Sequence, residues 1–209
     1  MDGADAISYI LNNNIEGVIV ECGVDSGDFE YKWIIALMAN SASRDIYLYD
    51  TFKGLVAPGE FDYTCNNAVI YNMDRKTTYD FWQKQIINET TNAWCYTPLN
   101  KVKERLYSTG YQIDKLFFIE GDVMDTLSKP ENLPEKIAIL RLDTDWYESS
   151  KYELEQLYDR VVTGGVIIFD DYYHWDGQRR ATDEFFKNRN IEYTHVSLNN
   201  GKTSAIIKI

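Results

Sequence analysis

Apolar residues recur along this 209-residue chain in short continuous runs that alternate with stretches of helical spacing. Short runs rich in β-branched and aromatic residues predict buried strands. They occupy residues 17–24, 45–52, 115–122, 136–143, 164–173, 191–198 and 203–209. Strands that alternate with helices predict a three-layer α/β fold, with a mostly parallel sheet covered on both faces. The last two runs are separated only by residues 199–202, so we expect a C-terminal hairpin that adds an antiparallel strand.

Helical spacing follows several of these strands. After the first strand, Phe29, Trp33 and Leu37 recur at intervals that place them on one helix face. Two further helices are predicted over residues 146–161 and 177–190. Together these elements indicate one domain that spans residues 1–209.

Residues 53–115 interrupt the alternation of strands and helices. This segment contains two predicted helices, at residues 77–90 and 99–110, but no strand of the expected kind. Long connections in compact domains are usually lids or binding segments. We therefore expect an insertion that covers the functional site, with an insertion of no function as the alternative.

Composition narrows the classes of partner. The formal net charge of −12 would repel a phosphate backbone, so nucleic-acid binding is not expected. The longest apolar helical stretch, WIIALMA, is too short to cross a membrane, and the N-terminus lacks the pattern of a signal peptide. Three widely spaced cysteines predict neither a disulfide framework nor a zinc site. These features favour a cytoplasmic protein.

The turn after the first strand has the pattern E-x-G-x-x-x-G, formed by Glu21, Gly23 and Gly27. Glycines there allow a ligand to approach the start of the following helix. Asp50 ends the second strand, where a carboxylate can accept hydrogen bonds from both ribose hydroxyls. Asp122 follows the third and could meet an adenine amino group. An adenosyl ligand without a pyrophosphate, such as S-adenosylmethionine (SAM), would suit this set, although a plain loop is the alternative.

Four carboxylates follow the next two strands. Asp143 and Asp145 end the fourth strand, and Asp170 and Asp171 end the fifth. If these strands are neighbours, the carboxylates meet at one sheet edge. Two like charges ~4 Å apart repel by ~4 kcal/mol at an effective dielectric constant near 20, so a cation is needed or some groups are protonated. Oxygen ligands favour Mg²⁺. The alternative is that Asp143 and Asp145 cap a helix.

Five motifs resemble those of a known family: VECGVDSGDF, YDTFKGL, EGDVMDTL, LRLDTDWYES and GGVIIFDDYYHWDGQRRATDEFF. They are similar, in content and order, to motifs of the TylF/MycF-type macrocin O-methyltransferases. Members of that family are Mg²⁺- and SAM-dependent enzymes that methylate sugar hydroxyls of natural products. The similarity extends over about residues 18–190.

This resemblance implies a Rossmann-like class I methyltransferase fold with one antiparallel C-terminal strand. It implies that Asp143, Asp170 and Asp171 bind the metal and that Asp145 is the catalytic base. It also implies that the loop of Glu21 contacts the methionine part of SAM. The expected cofactor-binding residues are Glu21, Gly23, Ser26, Gly27, Asp50, Thr51, Phe52, Gly121, Asp122, Val123 and Asp143.

The expected acceptor is a small molecule that bears a sugar hydroxyl or another vicinal diol. Family members usually have a longer helical region before the first strand, which can contribute to dimerisation, whereas about 17 residues precede that strand here. A homodimer is one possible state of this chain. His174 and Trp175 could line the acceptor pocket, although residues in such a loop more often lie at the surface.

Three other functions are open at this stage. A metal-dependent enzyme that methylates a catechol-like phenol would need the same site. Asp143-Thr144-Asp145 is formally the D-x-D signature of nucleotide-sugar glycosyltransferases, but that function would leave the glycine loop and Asp170-Asp171 without a role. A binding protein without turnover is the third.

Overall fold

The computed structural model describes residues 3–65, 72–198 and 203–209. Its strands are β1 (Val18–Cys22), β2 (Ile46–Asp50), β3 (Ile86–Asn88), β4 (Thr91–Asn92), β5 (Leu116–Glu120), β6 (Ile137–Leu142), β7 (Val161–Phe169), β8 (Val196–Leu198) and β9 (Thr203–Ile207). Its α-helices are α1 (Gly3–Asn12), α2 (Asp28–Ala39), α3 (Arg75–Lys84), α4 (Leu99–Tyr107), α5 (Val123–Thr126), α6 (Tyr147–Leu157) and α7 (Asp176–Asn188).

The central sheet has the strand order β5-β2-β1-β6-β7-β9-β8. Strands β5, β2, β1, β6 and β7 pair in parallel, whereas β9 is antiparallel to both β7 and β8. The predicted class of fold is therefore confirmed, including the antiparallel C-terminal strand. The turn predicted at residues 199–202 lies outside the described residues.

The sheet has an apolar layer on each face. Ile19 and Ile139 contribute to the core on the side of α1 and α2, while Val20 and Leu140 contribute to the core on the side of α6 and α7. Successive residues of a strand point to opposite faces, and all four of these side chains are fully buried. This explains why the strands read as continuous apolar runs.

Helix α1 was not predicted from the sequence. Its side chains Ala6, Ile7 and Ile10 are fully buried and belong to the core that also contains Trp33 of α2. Their spacing puts them on one helix face. Among the described residues, no helix is both long enough and apolar enough to span a membrane.

The prediction of one helix over residues 77–90 is wrong in its second half. Helix α3 ends at Lys84, and β3 and β4 then form a small antiparallel hairpin. The β-branched Ile86 and Ile87 favour a strand. Asn88 then makes the turn, because its side-chain oxygen accepts a hydrogen bond from the backbone N–H of Thr90 at 3.0 Å. The helix predicted at 99–110 is confirmed as α4, which ends three residues before Gly110.

Candidate active site

A cavity opens at the carboxyl ends of β1, β2, β5, β6 and β7. Its lining contains nine of the residues that the sequence singled out: Gly23, Asp50, Thr51, Gly121, Asp122, Val123, Asp143, Asp145 and Asp171. Gly23 of the glycine loop and two of the three carboxylates predicted to bind a metal, Asp143 and Asp171, therefore face one shared space, whereas Asp170 is not part of its lining.

Gly23 brings the first loop against the end of β6. Its φ of +88° lies in the left-handed region, and a Cβ atom there would be 2.0 Å from the backbone carbonyl oxygen of Asp143. Only glycine avoids this overlap. The requirement for glycine therefore comes from the close packing of two strand ends as well as from the turn.

Asp50 orders two loops around the cavity. Its Oδ2 accepts backbone hydrogen bonds from Val24 at 2.7 Å and Asp25 at 3.1 Å, and its Oδ1 accepts one from Phe52 at 2.6 Å. Burial raises the pKa of Asp50, while these three hydrogen bonds oppose the shift. The carboxylate thus fastens the glycine loop to the end of β2, a structural role that the sequence did not reveal.

Gly121 and Asp122 continue the lining beside Asp50. The backbone N–H of Gly121 donates to the carbonyl oxygen of Asp50 at 2.9 Å. Asp122 caps α5, because its Oδ1 accepts a hydrogen bond from the N–H of Met124 at 2.9 Å. An adenosyl group that reached Asp50 would therefore lie next to Asp122.

Four predicted cofactor-binding residues are not in the cavity lining: Glu21, Ser26, Gly27 and Phe52. Glu21 is fully buried beneath the cavity. A Cβ atom on Gly27 would meet the side chain of Val102 in α4 at 3.2 Å, and Phe52 is buried in the core. Direct contact of these residues with a cofactor stays a prediction.

The carboxylates of Asp143, Asp170 and Asp171 each offer one oxygen atom, and these three atoms lie within 4.8 Å of one another. They meet because β6 and β7 are neighbours, as the sequence argument required. Oδ2 of Asp171 is buried and accepts no hydrogen bond. Burial, together with nearby carboxylates, raises the pKa of both Asp143 and Asp171 well above its ordinary value.

Arg141 is a residue of the site that sequence reasoning missed. Its Nη1 lies 2.7 Å from Oδ2 of Asp143, and its Nη2 lies 2.8 Å from Oδ1 of Asp170. It also pairs with Glu21, and its guanidinium lies 4.0 Å from the centre of the Phe29 ring. Burial alone would lower the pKa of Arg141, but the surrounding carboxylates raise it well above its ordinary value. An arginine inside the apolar run IAILRL was the available signal.

Gln178 was also missed, although the motif QRRA contains it. Its side-chain oxygen accepts a hydrogen bond from the N–H of Asp171 at 2.7 Å, and its amide nitrogen donates to the carbonyl oxygen of Leu142 at 3.1 Å. The side chain is fully buried. Gln178 therefore ties the ends of β6 and β7 to α7.

Asp145 lies beside the group of three carboxylates. Its φ of 64° is left-handed, and its Oδ1 accepts a hydrogen bond from the indole N–H of Trp175 at 2.7 Å. Burial and the charge of Asp143 raise the pKa of Asp145 well above its ordinary value. Asp145 does not cap α6, because the N–H of Tyr147 at the start of that helix donates to Asp62, 2.8 Å away.

The insertion packs directly onto the site. Leu55, Val56 and Cys95 line the cavity. Trp94 packs against Trp146 and Trp175, with ring centres 5.7 and 6.0 Å apart. The described part of residues 53–115 thus forms one wall of the cavity, although its movement as a lid stays a prediction.

Comparison with known proteins identifies relatives of this chain. The family model TylF, described as macrocin-O-methyltransferase, matches residues 2–200. A tetracenomycin-C rhamnoside 4'-O-methyltransferase of Streptomyces olivaceus is 28% identical over 167 residues, which cover 79% of this chain and 57% of the relative. Demethyldecarbamoylnovobiocin O-methyltransferase of Streptomyces niveus is 28% identical over 180 residues, covering 86% and 62%. The chain thus spans about three fifths of these relatives.

Solved structures share the fold. The O-methyltransferase NovP superposes with a TM-score of 0.80 at 23% identity, over 99% of this chain and 77% of that one. An O-methyltransferase from Bacillus cereus in complex with S-adenosylhomocysteine (SAH) gives a TM-score of 0.56 at 15% identity, over 99% and 80%. At these identities the comparison establishes the fold alone.

Proposed function

This chain belongs to the TylF family of macrocin O-methyltransferases, and from that premise we propose that it is a SAM-dependent enzyme that methylates a hydroxyl group. The observation that supports this function most directly is the shared cavity, whose lining includes Gly23 of the glycine loop together with Asp143 and Asp171 of the aspartate cluster. The carboxylates also suit the positive charge of a sulfonium group.

We propose that SAM lies along the cavity from Gly23 to Asp122. Asp50 would accept hydrogen bonds from the ribose hydroxyls, and Asp122 would accept one from the adenine amino group. Bound there, SAM supplies a methyl group whose bond to sulfur breaks as the acceptor oxygen takes the methyl. Glu21 is buried and pairs with Arg141, so it would act on the bound SAM indirectly, through the glycine loop that follows it.

We propose that Asp143, Asp170 and Asp171 hold a Mg²⁺ ion. Two features of the site fit such an ion: the three oxygen atoms lie close together, and Oδ2 of Asp171 is buried without a hydrogen-bond donor. All donors are oxygen atoms, which Mg²⁺ prefers. Bound there, the ion would hold acceptor oxygens and lower the pKa of a hydroxyl. Arg141 neutralises part of the cluster, and one divalent ion would neutralise most of the remaining charge.

Asp145 is our proposal for the general base. It lines the cavity but is not one of the three carboxylates that converge most closely. One of its oxygens accepts the indole hydrogen bond of Trp175, and the other would take the proton of the acceptor hydroxyl.

The acceptor is proposed to be a sugar hydroxyl on a small molecule. Support comes from the relatives, whose names specify a rhamnosyl-tetracenomycin and a demethyldecarbamoylnovobiocin as substrates. A catechol-like acceptor would use the same metal geometry, so it is the second candidate. Family membership argues against the D-x-D glycosyltransferase.

A homodimer and a cytoplasmic location complete the proposal. Light scattering of the purified chain tests the homodimer.

The test is formation of SAH from SAM with demethyldecarbamoylnovobiocin or catechol as acceptor. We expect turnover with the glycoside, loss of turnover in EDTA and recovery with Mg²⁺. Asp145→Asn should still bind SAH and Mg²⁺ in calorimetry while losing most of kcat. Undiminished turnover in EDTA would contradict the metal role, and an unchanged kcat in Asp145→Asn would contradict the base.

A further inference from the structure

The side chain of Trp175 makes a polar contact with Asp145, the residue proposed as the base. Its indole N–H donates to Oδ1 of Asp145 at 2.7 Å, and Trp175 is 2% exposed. Hydrogen bonds to a charged acceptor are about twice as strong as neutral ones. Asp145 also has a left-handed backbone, which few non-glycine residues adopt. Two independent features thus constrain the orientation of one carboxylate.

Trp175 is itself held in place by its surroundings. Its ring centre lies 5.1 Å from that of Trp146 and 6.0 Å from that of Trp94, both in edge-to-face arrangements. Its backbone N–H donates to the carbonyl oxygen of Asp171 at 2.8 Å, and its backbone forms an antiparallel bridge with Thr64. The indole cannot turn away from Asp145 without breaking this packing.

We propose that Trp175 is a positioning residue for methyl transfer: its indole holds Oδ1 of Asp145, so that Oδ2 faces the acceptor hydroxyl. The inference rests on the proposed function, in which Asp145 is the base. Trp94 and Thr64 belong to the insertion, so the insertion supports the base through Trp175 as well as lining the cavity. A rigidly held base is the arrangement that proton transfer needs.

The hydrogen bond can be tested without any acceptor. The protein has five tryptophans, so ¹⁵N-labelled indoles give at most five N–H signals in NMR spectra. Trp175→Phe identifies its signal by loss; if that variant does not fold, Phe variants of the other four tryptophans identify it by exclusion. We expect Asp145→Asn to move the Trp175 signal upfield, because an amide oxygen is a weaker acceptor than a carboxylate. A signal that Asp145→Asn leaves in place would overturn the proposal.

Kinetics test the consequence for catalysis. Trp175→Phe keeps an aromatic ring and removes the N–H, so we expect kcat to fall about 10- to 100-fold while KM for SAM changes little. The matched control is Trp33→Phe, which removes a buried indole N–H that donates no hydrogen bond to the described residues in the core beside α1 and should reduce kcat far less. Equal losses in the two variants would refute the proposal.

A double variant separates this proposal from the assignment of the base. With demethyldecarbamoylnovobiocin as acceptor, Asp145→Asn combined with Trp175→Phe should be no slower than Asp145→Asn alone, since both act through one carboxylate. Further loss in the double variant would show that Trp175 acts elsewhere. If Asp145→Asn retains full kcat, the proposed base is wrong, whatever Trp175→Phe does.

Discussion

Replacing Arg141 by methionine would test the charge balance of the site most directly. The side chain is 7% exposed and its guanidinium pairs with Glu21, Asp143 and Asp170. Methionine fills much of the same volume but leaves these carboxylates without their cation. Because they are partly or fully buried, water cannot replace the lost interaction completely.

The expected loss of stability is large. Removing one partner of a buried ion pair typically costs about 3–5 kcal/mol. For a chain of 209 residues this corresponds to a decrease in Tm of about 7–11 °C. Differential scanning calorimetry in EDTA measures it. The control is Arg105→Met, because Arg105 is 42% exposed and pairs with Asp28 at the surface, where a pair contributes about 0–1 kcal/mol.

Magnesium should then act differently on the two proteins. Without Arg141 the cluster has one positive charge fewer, so we expect Mg²⁺ to raise the Tm of Arg141→Met by more than it raises that of the natural sequence. The increase in Tm that Mg²⁺ causes in Arg141→Lys should lie between the increases in Arg141→Met and in the natural protein, since lysine keeps the charge but cannot make the forked contact. A Tm for Arg141→Met within 2 °C of the natural protein in EDTA, about the shift of a single surface pair, would refute this account of the charge balance.

Three further changes have defined outcomes. Gly23→Ala should lower both Tm and SAH affinity in calorimetry, since its Cβ would lie 2.0 Å from the carbonyl oxygen of Asp143; normal SAH binding would contradict this. Asp50→Asn should weaken SAH binding about tenfold or more, because an amide oxygen is a poorer acceptor than the carboxylate that orders the two loops. Unchanged affinity would exclude this role of Asp50 in cofactor binding. Glu153 is buried beside Thr144, and burial raises its pKa from 4.5 to about 8. The folded state therefore binds the Glu153 proton more tightly than the unfolded state does. The free energy of unfolding consequently decreases as the pH rises from 4.5 to 8, by ~1.4 kcal/mol per pH unit. Glu153→Gln should flatten that decline in urea unfolding, and an equal slope in both proteins would refute the assignment.

Several features were predictable because they depend on local pattern and chain direction. Continuous apolar runs separated by helices indicated a parallel sheet, since strands buried on both faces need such runs. Parallel strands end at the same edge, so Asp143 and Asp170 had to lie near each other once β6 and β7 were neighbours. The helix predicted over residues 77–90 was wrong beyond Lys84, where residues 86–88 pair with β4 instead.

The sequence by itself thus determined the type of sheet, the edge at which the site lies and most of the acidic residues in the cavity. Only the tertiary structure decided which groups satisfy those acids. Arg141 meets Glu21 across 120 positions of sequence, and Trp175 meets Asp145 across 30. Such pairs depend on the register of β1 against β6 and on the packing of the insertion against α6 and α7. No periodicity encodes these distances, because they result from how whole elements pack together.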